Sequence, residues 1–302
     1  MKLCIISKHK TTNFGVNLVN LGQEKKFFIQ GMIEEVQLEA FPQAANQILN
    51  LLNDENVSIY NLARVASHDA YIAATIIRLA NSPFYGVKNK VTDLMHAISI
   101  IGLDSVKRLI LTISARSIFK DYDEFDKFLW EHMVAVATVS QMISFKFNLF
   151  NENISYVAGL LHDIGKTVMH KSKQINYETI IEKVNASENL LSLEPELDVY
   201  GFSHCDVAKV MLNLWNFDNL IVEAVYLHHS KTFSEDNVGK LSAIVNFSDY
   251  LVNWLSIGRV KSYRKVSLQN TESIIFLKIH IDDMDSFLQE ILKRINFSKE
   301  IF

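Results

Sequence analysis

Val157-Ala158-Gly159-Leu160-Leu161-His162-Asp163-Ile164-Gly165-Lys166 sets a histidine and an aspartate side by side in the middle of an apolar run. Val157, Leu160, Leu161, Ile164 and Val168 recur at helical spacing, which predicts one inward-facing helix over residues 153–170. A carboxylate buried there without a partner is costly. A cation would supply that partner, and histidine with aspartate suits iron, manganese or zinc. A hydrogen-bonded His–Asp pair without metal is the plainer reading. Neighbouring helix residues diverge by about 100°, so the two side chains could serve one ion from two directions or bridge two ions. Lys166 follows His162 by one turn on the same face. It can steady a phosphate as a catalytic helper or simply pair with Asp163.

Other residues of ligand type lie on both sides of this run. His132 sits in Trp130-Glu131-His132-Met133-Val134-Ala135, on the preceding predicted helix. His204 follows Gly201-Phe202-Ser203 at a helix start. His228 and His229 end an apolar helix carrying Ile221, Ala224 and Val225, and Asp249 lies inside Ile244-Val245-Asn246-Phe247-Ser248-Asp249-Tyr250-Leu251. With His162 and Asp163 they make an ordered set of seven candidate metal ligands. His204 and His229 can ligate a second ion or only hydrogen-bond to the ligands. Cys205 is read as a small apolar residue at a helix start rather than a thiolate ligand. His9, His68, His96, His170 and His280 have no companions at ligand spacing and are read as ordinary surface or core residues.

The rest of the chain reads as helix. Of 302 residues only ten are Gly and three Pro, so the main helix breakers are scarce. Ser58 and Asp69 are candidate N-caps, Pro42 sits near a helix start, and Gly102 is a stop signal. Asn81-Ser82-Pro83-Phe84-Tyr85-Gly86 has turn chemistry. Beyond the charged stretch Asp121–Lys127, helices are predicted around 128–147, 205–214, 218–229, 239–255 and 284–296. The last carries Phe287, Leu288, Ile291 and Ile295. Residues 1–31 differ: the short apolar clusters Leu3–Ile6, Val16–Val19 and Phe27–Ile29 suggest short strands in an N-terminal extension. The predicted architecture is all-α, with that extension, a helical first lobe over 32–125 and a second helical lobe over 126–302 that holds the chemistry.

Composition narrows the function classes. A formal charge of −4 gives no basic excess for a nucleic-acid partner. The helix after Gly102 carries Lys107, Arg108 and Arg116, but Val106, Leu109, Ile110, Leu111 and Ile113 cover too much of it for a groove-reading helix. Cys4 and Cys205 show no paired spacing, which reads as a reducing cytoplasm. No apolar stretch reaches the length of a membrane span, and the N-terminal run is too short for a secretory signal.

The order H…HD…H…HH…D resembles the HD phosphohydrolase superfamily. Three first-lobe stretches resemble its HDOD branch: Ile76-Ile77-Arg78-Leu79-Ala80 leading into Asn81–Gly86, then Ala97-Ile98-Ser99-Ile100-Ile101-Gly102-Leu103, and the approach from Phe41-Pro42 to Leu51-Leu52-Asn53-Asp54. The likeness covers roughly residues 34–255. It implies a helical module of bacterial signal transduction that works through a protein partner. It also implies one or two divalent transition-metal ions, iron or manganese favoured, at the seven ligand positions. A metal-dependent phosphohydrolase acting on a phosphoester or nucleotide is the alternative it leaves open. Two departures stand out. Asp69-Ala70 replaces the family's frequent Asp-Pro. Relatives that cleave cyclic di-GMP follow their HH with an acidic residue and a Gly-Tyr-Pro signature, whereas His228-His229 here precede Ser230-Lys231-Thr232-Phe233. The second departure argues against activity on cyclic di-GMP.

Overall fold

Short polar side chains start most of the helices. Ser58, Asp69, Asp93, Asp123, Asn151, Ser203, Asp218, Asp236 and Thr271 each accept hydrogen bonds from backbone N–H groups in the first turn that follows, satisfying donors that the helix leaves free. The computed structural model describes residues 22–37, 43–51, 57–119, 122–186, 193–258, 271–280 and 284–301. Sixteen helices and no strand occur among them. No described helix is long and apolar enough to cross a membrane.

The first lobe is built from α2 (Gln43–Leu51), α3 (Ile59–Ser67), α4 (Ala70–Ala80), α5 (Leu94–Ile101) and α6 (Leu103–Arg116). Leu62, Ile72, Ile76, Ile98 and Ile110 are among its fully enclosed apolar residues. The Asn81–Gly86 turn is pinned by Asn81, whose side chain bonds the Val91 backbone in both directions at 2.8 Å. The second lobe surrounds α7 (Glu124–Lys146), which is buried on nearly every face and packs on α8 (Glu152–Leu161) and α14 (Asn237–Trp254). Gly159 permits the α7–α8 approach: a Cβ there would lie 2.9 Å from the Ala137 Cα. Around this pair lie α9 (Ile164–Lys171), α12 (His204–Leu214) and α13 (Asn219–Tyr226), with α10 (Tyr177–Ala186) and α11 (Glu194–Tyr200) between α9 and α12 in the chain. After α15 (Glu272–Leu277), α16 (Met284–Ile301) returns to α7, with Phe287 edge-on to Phe147 at 5.8 Å between ring centres. The lobes meet where α6 rests on α8. Thr112 Oγ1 and Tyr156 Oη are 2.6 Å apart there, and Arg108 donates to Asn153 Oδ1 at 2.7 Å.

Three expectations are corrected. Phe27–Ile29 is not a strand but part of α1 (Gln23–Val36), so helix begins nine residues before Met32. Three residues are too few to show a period, and Ile29 and Met32, three apart and both buried, reveal it only once the helix is docked on α9 and α12. The Leu3–Ile6 and Val16–Val19 clusters and Pro42 lie outside the described residues. The single helix over 153–170 is two helices, α8 and α9, broken at His162-Asp163, where Asp163 takes φ −104° and ψ 8°. The apolar stripe is correct, since Val157, Leu160, Leu161, Ile164 and Val168 are all buried. A straight helix would hold the two polar side chains about 100° apart, and the break lets both face one interior point. Helices α1, α10, α11 and α15 carried too little pattern to be expected.

Candidate metal centre

The seven candidate ligands come from five places in the second lobe and converge. His132 projects from the middle of α7, and Asp249 from α14 beside it. His162 and Asp163 occupy the α8–α9 break, His204 opens α12, and His228 and His229 lie in the turn after α13. Gly165 brings α9 against the start of α12: a Cβ there would lie 2.1 Å from the His204 carbonyl oxygen.

Asp163 is the hub. Its Oδ2 lies 3.3 Å from His162 Nε2, 3.6 Å from His132 Nε2 and 2.6 Å from Lys166 Nζ. Its Oδ1 lies 3.1 Å from His204 Nε2 and 4.0 Å from His228 Nε2. Asp249 Oδ1 stands 2.9 Å from His132 Nε2 and 3.8 Å from His162 Nε2, and Asn253 donates to it at 2.7 Å.

Hydrogen bonds around the rim set the tautomers. His162 Nδ1 faces the Gly159 carbonyl at 2.8 Å, and His228 Nδ1 faces the Val225 carbonyl. A carbonyl only accepts, so both Nδ1 atoms carry the proton and both Nε2 atoms present lone pairs inward. His204 Nδ1 meets the Glu196 carboxylate at 2.8 Å, which turns its Nε2 toward Asp163. Glu196 is itself buried and accepts from Tyr177 Oη at 3.1 Å. Such a carboxylate behind a histidine fixes ring orientation and raises ligand basicity. Sequence reasoning missed Glu196. The one available signal was Glu194-Pro195-Glu196, a proline in a helix's first turn.

The donors fit a divalent cation. His162 Nε2, Asp163 Oδ1, His228 Nε2, His132 Nδ1 and His229 Nδ1 are buried and have no hydrogen-bond partner, an expensive state for polar atoms. Two triads, His132–His162–Asp163 and His162–His228–Asp249, bring one ligand atom from each residue within 4.8 Å of one another, as does the group His204–Cys205–His228–His229. Imidazole with carboxylate is the donor set of iron, manganese and zinc.

The electrostatics suit a divalent cation. Burial opposes ionisation of Asp163, but His162 and Lys166 overcome it and hold the carboxyl well below its usual range. Asp249 is likewise held down against burial, by its bond to His132. Burial, then His162 and His204, press His228 down to about 3, and burial also lowers His132 and His229. His204 goes the other way: burial lowers it, but negative neighbours including Glu196 carry it well above the ordinary histidine value.

A pH dependence of the metal-free protein follows. A histidine held below its ordinary value of about 6.5 contributes fully above that value, and its contribution is lost as pH falls through the folded one. His132, His228 and His229 therefore weaken the metal-free fold progressively below pH ~6.5, down to about 3 for His228. Asp163 and Asp249 add to the loss below about 3.9. His204 acts in reverse, supporting the fold at low pH and ceasing to as pH rises through its elevated value. Denaturant titrations of chelated protein should show stability declining from pH 7 to 4, and a flat profile would contradict this account.

The molecule's likenesses agree with this fold. A structure of an HDOD domain protein of unknown function from Geobacter sulfurreducens superposes with a TM-score of 0.73 at 23% identity, covering 92% of this chain and 99% of that one. One described as a candidate signal transduction protein from Marinobacter aquaeolei VT8 gives 0.69 at 16%, covering 90% and 63%. One described as a candidate metal-dependent phosphohydrolase from Shewanella amazonensis SB2B gives 0.56 at 18%, covering 91% and 99%. At these identities the likeness shows the fold. An uncharacterised protein of Treponema pallidum is 19% identical over 233 residues, 72% of this chain, and the chain spans only 43% of that relative's length. The family model of the HDOD domain matches residues 38–231, well over half of the sequence, and the chain belongs to the HDOD domain family.

Proposed function

We propose that this chain is a metal-holding regulatory module of signal transduction that acts through a protein partner in the cytoplasm. The observation that carries the metal reading is that the buried, partnerless His162 Nε2 and His228 Nε2 stand beside the Asp163 and Asp249 carboxylates, within two triads whose ligand atoms lie within 4.8 Å of one another. His132, His162, Asp163 and Asp249 would hold one ion, and His204, His228 and His229 would extend the site to a second. Iron and manganese are favoured for the oxygen-bearing part of this set. When bound, such an ion supplies Lewis acidity and charge compensation. The protein's own part is to fix the imidazole tautomers through Gly159, Val225 and Glu196, and to keep the carboxylates ionised. Ser230-Lys231-Thr232-Phe233 after His228-His229 supports a module that does not cleave cyclic di-GMP.

A second reading, a phosphohydrolase, is favoured by Lys166. Its ammonium touches Asp163 at 2.6 Å, and its side chain keeps 26% exposure, so it can reach both the site and an arriving phosphoester. In that role it would neutralise a phosphate oxygen.

Metal analysis of anaerobically purified native protein and the His162→Ala/Asp163→Ala variant tests the first reading. One or two equivalents of iron or manganese in the native protein, lost in the variant, are expected. No metal in a folded native protein would reject it. Turnover of any phosphoester by the loaded native protein, absent in the variant, would replace the regulatory reading with the enzymatic one. Glu196→Ala should leave His204 unfixed and weaken metal binding about 10–100-fold, measurable by competition with a chelating dye. Unchanged affinity would remove Glu196 from the ligand-positioning role.

A further inference from the structure

We propose that Cys205 is a thiolate ligand of a second metal centre, formed with His204, His228 and His229, that selects a softer ion such as zinc. The inference rests on the metal reading above and adds a donor that the ordered H…HD…H…HH…D set does not contain. Cys205 is buried, and its Sγ lies 3.5 Å from His204 Nε2 and 3.8 Å from His228 Nδ1. One ligand atom from each of His204, Cys205, His228 and His229 falls within a 4.8 Å span.

Two observations independent of the cysteine point to an ion there. His228 Nε2 and His229 Nδ1 are buried without a hydrogen-bond partner. The rings of His228 and His229 lie 4.0 Å apart, and His204 lies 5.5 Å and 5.1 Å from them.

Cys205 lies in the first turn of the eleven-residue helix α12, next to His204. The two centres would then differ in kind. The Asp163–Asp249 side offers carboxylate oxygens with imidazoles and suits iron or manganese. The Cys205 side offers three nitrogens and one sulfur, a set of the type that holds zinc. His204 stands between them, with Nε2 3.1 Å from Asp163 Oδ1 and 3.5 Å from Cys205 Sγ.

Anaerobic titration of the metal-free full chain with cobalt(II), followed by absorption, tests this. Uptake of two equivalents is expected, one of them with an intense near-ultraviolet thiolate-to-cobalt band. Cys205→Ser should lose the band and bind that equivalent at least tenfold more weakly, while Cys4→Ser keeps both. Cobalt uptake without the band in the native protein would overturn the proposal and leave the metal reading standing. No uptake at all would sink both. If Cys205→Ser fails to fold, X-ray absorption of the zinc-loaded native protein gives the answer. A sulfur neighbour at about 2.3 Å supports the thiolate, and nitrogen and oxygen neighbours alone refute it.

Discussion

Lys171→Met should destabilise the protein by about 3–5 kcal/mol, although the side chain lies outside the candidate metal centre. Lys171 Nζ contacts Asp126 Oδ2 at 2.7 Å, and Asp126 is completely enclosed, with its other carboxylate oxygen lacking a partner. Burial already pushes the Asp126 carboxyl up, and Lys171 only partly offsets that. Without the ammonium, the buried carboxylate loses its counter-charge and keeps the Asp123 backbone N–H of its capping box at 3.4 Å. Two features separate this account from a loss of contact area. The deficit should shrink toward pH 5, because protonating Asp126 removes the uncompensated charge. The double variant Lys171→Met/Asp126→Asn should recover most of the loss. Urea denaturation of the three variants measures both, and a single-variant loss under about 1 kcal/mol, the range of exposed pairs, would count against the argument.

Gly165→Ala is expected to cost at least the 1–3 kcal/mol typical of overpacking, and to disturb the metal centre. The added methyl would meet the His204 carbonyl oxygen at 2.1 Å and the Ala208 nitrogen at 2.9 Å. Both are backbone atoms in α12, so no side chain can turn away to relieve the clash. The helix must shift, and His204 shifts with it, away from Asp163. Denaturation should show the loss, and metal analysis should show reduced retention at sites that depend on His204. Native-like stability and metal content would mean that α9 and α12 are less tightly joined than their geometry indicates.

Much of this molecule was legible in advance. Ser58, Asp69 and Gly102 mark helix ends by local chemistry, which a sequence displays directly. The candidate ligands were legible because each is a polar residue set in an apolar helix pattern. What the sequence hid is relational. The break at His162-Asp163 leaves no trace, because the apolar stripe runs through it without losing phase. Glu196 reaches His204 from the first turn of α11, eight residues earlier and on a different helix. The 2.9 Å approach of Asp249 to His132 joins residues more than a hundred positions apart, and no spacing rule connects them. Nor did the pattern of residues 23–31 announce a helix, because its apolar face is narrow and its meaning depends on α9 and α12.

Helix α8 carries the lobe seam at one end and the metal centre at the other. Tyr156 meets Thr112 of the first lobe, Asn153 meets Arg108, and His162 follows directly after the last turn. Ten residues of α-helix form a nearly rigid rod about 15 Å long. That rod is held to the first lobe by two hydrogen bonds, the Arg108–Glu152 ion pair at 3.7 Å and the apolar seat of α6. The molecule thus joins an imidazole of the candidate metal centre and the face that seats α6 in one short rod.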